Sequence, residues 1–561
     1  MPTASSAPPS TPPAATDPVS DDTLVAASRV RELLDDPTLE VAVLDLRTPQ
    51  HRSEGHLAAS TGLPFHDLEQ RITLLVPRRE TPVVLVADDA ALAETARTVV
   101  HGLGYRAVSV LDGGTAGWTA AGGRLHTGTN VRSKTLGEWI EERFGTPTVD
   151  PETVAGWRAA GEEVVVLDSR PHGEYLHHHI PGGLDTGGGP ELAYRGLQAV
   201  ARPGTRIVVN CAGRTRGIVG AQSLINTGIP YEVYSLRNGT PAWGWAGLPL
   251  EHGPGSPLPA PAETTPELRA WARRTLEEAG ATLLDAPGLA ELRTRPSTIY
   301  VVDIRSPQEV AAGTVAGARA VQGGQLVQAT DEHVAVHRAA LVLVDTADLV
   351  RAAGTVQWLR FLHDGPLHVV VHEAGLAGEP ARSEVPLPDV PRVTPAELGA
   401  ELGADPEAGP LVVDLRSSAA YRAAHLPGSV HARREQLADL VTPATATVRR
   451  VVLVGDGSPA PADAARDLQA TTLDVYRPHF AAGDLLVAGV DVRVLDGDPH
   501  DVPLALTDED PVHAGEIADQ TGPPPFGPER DAWYRAYFDW EYSLVPGAQG
   551  DPDLDFERTL R

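Results

Sequence analysis

Four short apolar runs, each closed by Asp-x-Arg, constrain this chain more than any other feature. They are "VAVLDLR" ending at Arg47, "VVVLDSR" at Arg170, "IYVVDIR" at Arg305 and "PLVVDLR" at Arg416. Runs rich in β-branched residues, with no polar alternation, suit strands buried on both faces of a parallel sheet. The aspartates Asp45, Asp168, Asp303 and Asp414 stand roughly 110 to 135 residues apart, the length of a domain rather than of a solenoid repeat. In each copy a related turn follows the arginine, beginning at His56, His179, Thr314 and His425. A second apolar run then ends just before Ala87, Cys211, Asp345 and Gly455, and a helical stretch follows. The first two copies add "DGGTAGW" and "RNGTPAW". Strands alternating with helices in this way predict an α/β chain of four tandem domains, each a mostly parallel sheet flanked by helices.

The expected domains are residues 22–130, 145–252, 266–385 and 392–500. Pro-rich linkers separate them: "EHGPGSPLPAPAETTP" after the second and "SEVPLPDVP" before the fourth. Residues 1–21, rich in Pro, Ala, Ser and Thr, lack the basic and apolar regions of a signal peptide and read as a disordered leader. Residues 507–561 form a C-terminal extension. In it "DAWYRAYFDWEY" puts Trp533, Tyr537 and Trp540 on one helix face, which predicts a terminal helix docked on a domain.

A formal net charge of -29 argues against broad nucleic-acid binding and against adhesion to an anionic membrane. An anionic ligand therefore needs local positive charge. No apolar run approaches the ~20 residues of a membrane span. One cysteine in 561 residues forms no internal disulfide and suits a reducing compartment, so a soluble cytoplasmic protein is expected.

That cysteine lies in "RIVVNCAGRTRG", Arg206 to Gly217. Ligands of open α/β sheets bind beyond the carboxyl ends of strands. Of Ala87, Cys211, Asp345 and Gly455, only Cys211 places a nucleophile there. A thiolate is the reactive form, and converging amides and a helix N-terminus stabilise it. A small Gly-containing loop with a helix starting near Gly217 supplies both. Arg214 and Arg216 add fork-shaped donors for an anion. The stretch reads as a site for a nucleophilic sulfur and an oxyanionic substrate.

The Asp-x-Arg strand ends, the "HIPG" turn, the cysteine loop ahead of a helix and the "NGTPAW" segment together resemble the rhodanese-like sulfurtransferases. "CAGRTRG" with "IVGAQSLINTGI" looks like the active repeat of their multi-domain bacterial members. The resemblance implies that Cys211 takes a sulfane sulfur from a donor and holds it as a persulfide. Ala212, Gly213, Arg214, Thr215 and Arg216, with Gly217 following, would wrap the sulfur. Arg214 and Arg216 would bind the sulfonate of thiosulfate or the carboxylate of mercaptopyruvate. No cofactor and no metal is implied.

Asp168 and Arg170 read as architectural, and Glu174 as an Arg170 partner one helical turn on. His179 matches the family's turn, although His178 stands where glycine is usual. The run His177 to His179 reads as solvent-facing rather than metal-binding, because adjacent residues rarely converge on one ion. Trp243 reads as core packing. The three copies without cysteine would be inactive domains with scaffolding, docking or shielding roles. With no second thiol in the chain, the acceptor must attack Cys211 directly: cyanide, sulfite, a small thiol or a partner protein's thiol. Two alternatives stand beside this reading. Cys-based phosphatases and arsenate reductases use Cys-x5-Arg, whereas Arg216 gives Cys-x4-Arg. A sulfur-carrier or scaffold protein would use the cysteine-free domains to bind partners.

Overall fold

Each apolar run ending in Asp-x-Arg forms the middle strand of its own parallel sheet. The computed structural model describes residues 23–200, 202–258, 263–404, 409–444, 450–455, 471–487, 490–519 and 521–560. The leader expected over residues 1–21 falls outside them. In the second sheet the strands Thr148–Val149, Glu232–Leu236, Arg206–Asn210, Val164–Asp168, Leu184–Asp185 and Ser256–Pro257 lie side by side in that order, all parallel. The other three sheets repeat the same arrangement. Val41–Asp45, Ile299–Asp303 and Leu411–Asp414 take the place of Val164–Asp168, while Val83–Val86, Ala340–Asp345 and Val451–Val454 take that of Arg206–Asn210. Both strands are apolar on both faces because helices cover both sides.

The Asp-x-Arg signature works as a staple at the end of its strand. Asp168 accepts from Arg170 Nε at 2.9 Å and from Nη2 at 2.7 Å, and Nη2 also donates to the His178 carbonyl at 2.7 Å. Arg47, Arg305 and Arg416 make the same bonds to their aspartates and to the carbonyls of Gly55, Gly313 and Ala424. A buried charge pair is costly unless further hydrogen bonds support it, and the carbonyl of the turn adds one from Nη2 each time.

The units are not separate beads. Val336–His337 of the third adds an antiparallel strand to the first sheet beside Val41–Ala42. The helix Val350–Leu362 of the third packs on Gly189–Tyr194 of the second. There Arg351 ties Glu191 and Glu309 together while its guanidinium lies 3.9 Å over the Tyr194 ring. Arg434 of the fourth forks Glu69 of the first at 2.6 and 2.7 Å.

Two helices outside the expected domains decide the environment of Cys211. One, Val131–Phe144, fills the interval between the first two domains and is buried nearly all round from Val131 to Ile140. It crosses the start of the helix Thr215–Asn226 so closely that a Cβ on Gly137 would lie 2.8 Å from Thr215 Cγ2. The other, Pro528–Ala548, packs along the first and buries Tyr534, Phe538, Glu541 and Leu544. Trp533, Tyr537 and Trp540 share the adjoining side, Trp533 stacked on Tyr537 with ring centroids 5.0 Å apart.

Among the described residues no helix is long and apolar enough to cross a membrane.

Candidate active site

The strand Arg206–Asn210 delivers Cys211 to the carboxyl edge of the second sheet, where the side chain is 2% exposed. Its backbone is clamped from beyond. The Cys211 carbonyl accepts from Thr240 N at 2.9 Å and Thr240 Oγ1 at 3.0 Å. Gly239, at φ +57°, lies against that carbonyl, and a side chain there would collide with it. Asn210 joins the clamp, its amide donating to Asp168 Oδ2 at 3.0 Å and to Thr240 Oγ1 at 3.1 Å. The "NGTPAW" segment therefore holds the nucleophile's backbone still.

The loop turns back at once. The helix begins at Thr215, two residues ahead of Gly217, so only Ala212 to Arg214 form the loop. The Gly213 amide donates to Cys211 Sγ at 3.3 Å. A Cβ on Gly217 would sit 3.6 Å from Sγ and 2.9 Å from Ser235 Oγ, so glycine lets the first helical turn press against the sulfur. Burial pushes the Cys211 thiol up; the Arg216 charge and the Gly213 and Gly217 amides pull it back, Glu541 opposes them, and the balance stays raised.

The two arginines part company. Arg216 is the cation beside the thiol, and it forks Glu174 at 2.7 and 2.9 Å. Glu174 is thus the partner of Arg216; the expected pair with Arg170 does not form, since Arg170 is taken by Asp168. Arg214 turns to the inter-domain helix. It forks Glu138 at 2.8 and 2.7 Å, reaches Glu141, and donates to Tyr542 Oη at 2.8 Å with its guanidinium 4.1 Å over that ring. Its side chain is 2% exposed. The expectation that Arg214 binds substrate gives way to a structural role, because three protein groups already take all but one of its five N–H donors. Thr215, at the helix start, reaches Glu541 Oε1 at 3.4 Å. Ala212 is half-buried between Cys211 and Gly213.

His179 is buried and stacks on Tyr175 with centroids 4.1 Å apart, while its Nδ1 lies 3.1 Å from the Tyr175 carbonyl. Trp243 Nε1 donates to the Pro249 carbonyl at 2.9 Å from within the core. The histidine run is not wholly solvent-facing: His177 is exposed, but His178 is buried under Phe526 and the Arg170 staple, and burial pushes it down to about 3. Among the described residues no group of His, Cys, Asp or Glu side chains is arranged to hold a metal ion.

The sequence reading missed Lys134, Glu138 and Glu141 on one helix and Glu541 and Tyr542 on the other. A Lys-x3-Glu-x2-Glu stripe on an amphipathic stretch was the available signal. It does not say which site the stripe would face. A small cavity beside Arg216 is lined by Ser169 and Thr215 of the second unit and by Gly324 and Gln328 of the third, so the third unit supplies one wall. At the position of Cys211 the third unit has Asp345, whose carboxylate accepts from the Thr346 and Ala352 amides at 2.7 and 2.8 Å. That side chain caps a helix and carries no nucleophile.

An enclosed cysteine at the carboxyl end of a central parallel strand, in one unit of a tandem α/β array, defines the class of protein. The rhodanese-like domain model matches residues 26–121, 150–245 and 394–499, over half of the chain. The chain belongs to the rhodanese-like family. Residues 266–385 lie outside the matched stretches, although the third sheet has the same strand order. Among solved structures, a thiosulfate sulfurtransferase from Pseudomonas aeruginosa is 34% identical, with a TM-score of 0.83 over 96% of this chain and 99% of that one. The Alr3790 protein from Anabaena sp. is 24% identical over 20% of this chain and 86% of that one, with a TM-score of 0.18. The BH2092 protein from Bacillus halodurans is 18% identical over 20% of this chain and 80% of that one, also at 0.18. Among curated protein sequences, none matches significantly.

Proposed function

We propose that this protein is a sulfurtransferase that carries a sulfane sulfur on Cys211. The observation that supports it most is the setting of the thiol: the one cysteine of the chain, gripped by the Gly213 and Gly217 amides, with the Arg216 charge beside it. Thiosulfate or a similar small anion is the donor. The Cys211 thiolate attacks the outer sulfur of thiosulfate, the S–S bond of the donor breaks, and sulfite leaves with the electron pair. The outer sulfur stays on Cys211 as a persulfide anion, which the same amides and Arg216 stabilise. A thiol, sulfite or cyanide then removes it. A partner protein's thiol is an acceptor of the same chemistry.

The loop Ala212 to Arg214 and the first helical turn to Gly217 supply the anion cradle, and Arg216 is its cation. Asp168, Arg170, His179 and Trp243 act as supports. Glu174 holds Arg216 in place. The third unit, read as a rhodanese-like domain without a nucleophile, walls the site; the first and fourth scaffold it. A thiol that must stay reduced between turnovers suits the cytoplasm.

Intact-mass measurement tests the reading. Thiosulfate adds the mass of one sulfur to the wild-type protein and nothing to Cys211→Ser. The reading is lost if wild type gains no sulfur from thiosulfate, mercaptopyruvate or glutathione persulfide.

A further inference from the structure

We infer that Glu541, on the C-terminal helix, takes the proton of a thiol acceptor as sulfur leaves Cys211. This rests on the sulfurtransferase reading and adds a residue from outside the matched domains. The helix Pro528–Ala548 lies over the sulfur loop, where a Cβ on Gly213 would be 3.4 Å from Tyr537 Cε1 and 3.6 Å from Glu541 Oε2. Glu541 is 1% exposed. Its Oε1 accepts from Tyr537 Oη at 2.7 Å and from Thr215 Oγ1 at 3.4 Å. Its Oε2 is buried with no hydrogen-bond partner, although it lies against the loop that wraps the sulfur. An orphaned carboxylate oxygen costs stability unless something fills the place of its donor. A thiol S–H entering to attack the persulfide is such a donor.

Burial against these neighbours leaves the carboxyl able to exchange a proton near neutrality. Burial pushes it up to about 7; Lys134 and Arg214 and the Tyr537 hydroxyl pull down, and Glu138 pushes up. Cys211 and Arg216 complete the group of charges facing this space. Tyr537 also walls a cavity of about 260 Å³ with Lys134, Trp533, Trp540 and Thr129. There Lys134 Nζ sits 5.0 Å from the centres of both the Tyr537 and Trp540 rings. A cation between aromatic walls fits the carboxylate of a small thiol such as cysteine or glutathione.

The step balances. Glu541 carboxylate takes the thiol proton, and the new thiolate attacks the outer sulfur of the Cys211 persulfide anion. The bond from Sγ to that sulfur breaks with its electron pair on Sγ. The acceptor leaves as a persulfide anion, Glu541 returns the proton to Sγ, and Cys211 ends as a thiol.

The test uses full-length protein loaded with thiosulfate, and follows discharge by intact mass into glutathione or into sulfite, which at alkaline pH brings no proton. Glu541→Gln keeps the shape and the bonds to Tyr537 and Thr215. It is expected to load like wild type and to discharge into sulfite within about threefold, but to discharge into glutathione about 100-fold more slowly at pH 7. The gap should close toward pH 9, where the free thiol ionises by itself. Equal slowing with both acceptors would reduce Glu541 to a structural anchor and overturn the inference, as would an unchanged glutathione profile. Tyr537→Phe is a second variant: losing a hydrogen bond to the carboxylate should move the acid limb of the glutathione profile to higher pH. An unmoved limb also overturns the inference. Failure of wild type itself to load would instead sink the sulfurtransferase reading.

Discussion

Glu174 and Arg216 meet fork to fork beside the buried sulfur of Cys211, with N–O distances of 2.7 and 2.9 Å. A carboxylate thus occupies the guanidinium beside the sulfur. Glu174 is held low by Arg216 against the cost of its burial, so the pair is ionised at neutral pH. On the proposed sulfurtransferase reading, a donor anion would have to share or displace this carboxylate, which would make Arg216 a pre-oriented but guarded cation.

The two loop arginines should therefore fail differently. Arg216→Ala is expected to lower kcat/KM for thiosulfate by about 100-fold or more while the fold is retained. Arg214→Ala strands Glu138 in the interior, where it is already pushed up by burial, and should cost about 3–5 kcal/mol of stability. Steady-state kinetics beside denaturant melts separates the two. A full loss of thiosulfate use in a well-folded Arg214→Ala protein would return that residue to the substrate site.

Access to the thiol should depend on the C-terminal helix. Phe538 is 3% exposed, and its ring lies 3.6 Å from where a Gly213 Cβ would be. Phe538→Ala removes about 3–5 kcal/mol of packing from the docked helix. Alkylation of Cys211 by iodoacetamide is then expected to speed up by about tenfold or more as the loop opens. Unaltered labelling would mean that the helix does not govern access.

Acid should unfold the protein early. His178 and His333 are both pushed down to about 3, chiefly by burial and then by neighbouring arginines, from an ordinary 6.5. The unfolded chain binds their protons first, so the stability they confer is complete above about pH 6.5 and is lost as pH falls toward 3. Asp364, held well below the usual carboxylate range by His337 despite its burial, adds to the loss at the acid end. Melting temperature should fall between pH 7 and pH 5, and less steeply in His178→Asn. Identical slopes would clear His178 of any part in it.

Much of this molecule was legible because its information is local. A β-branched run closed by Asp-x-Arg dictates a buried strand and the staple that ends it, within eleven residues of chain from Asp168 to the His178 carbonyl. The lone thiol at one of four equivalent strand ends was likewise readable, since strand order in an α/β sheet places ligands there. Local spacing misled where partners were remote. Glu174 falls at helical distance from Arg170 but pairs with Arg216, because Asp168 is nearer to Arg170 and already fixed by the strand. Arg214 looked like a twin of Arg216, yet Arg214 ends the loop while Arg216, two residues on, lies in the first helical turn, and the two side chains meet different neighbours.

By itself the sequence determined the repeated α/β units, the position of Cys211 at the edge of its sheet, and the glycines that let amides close on the sulfur. Only the tertiary structure decided which charges surround that sulfur. Glu541 meets Thr215 across 326 residues of chain and Glu138 meets Arg214 across 76, and both contacts exist only because two helices outside the repeats are packed on the loop. Electrostatic and packing forces act through space, and neither periodicity nor motif records where a remote helix will dock.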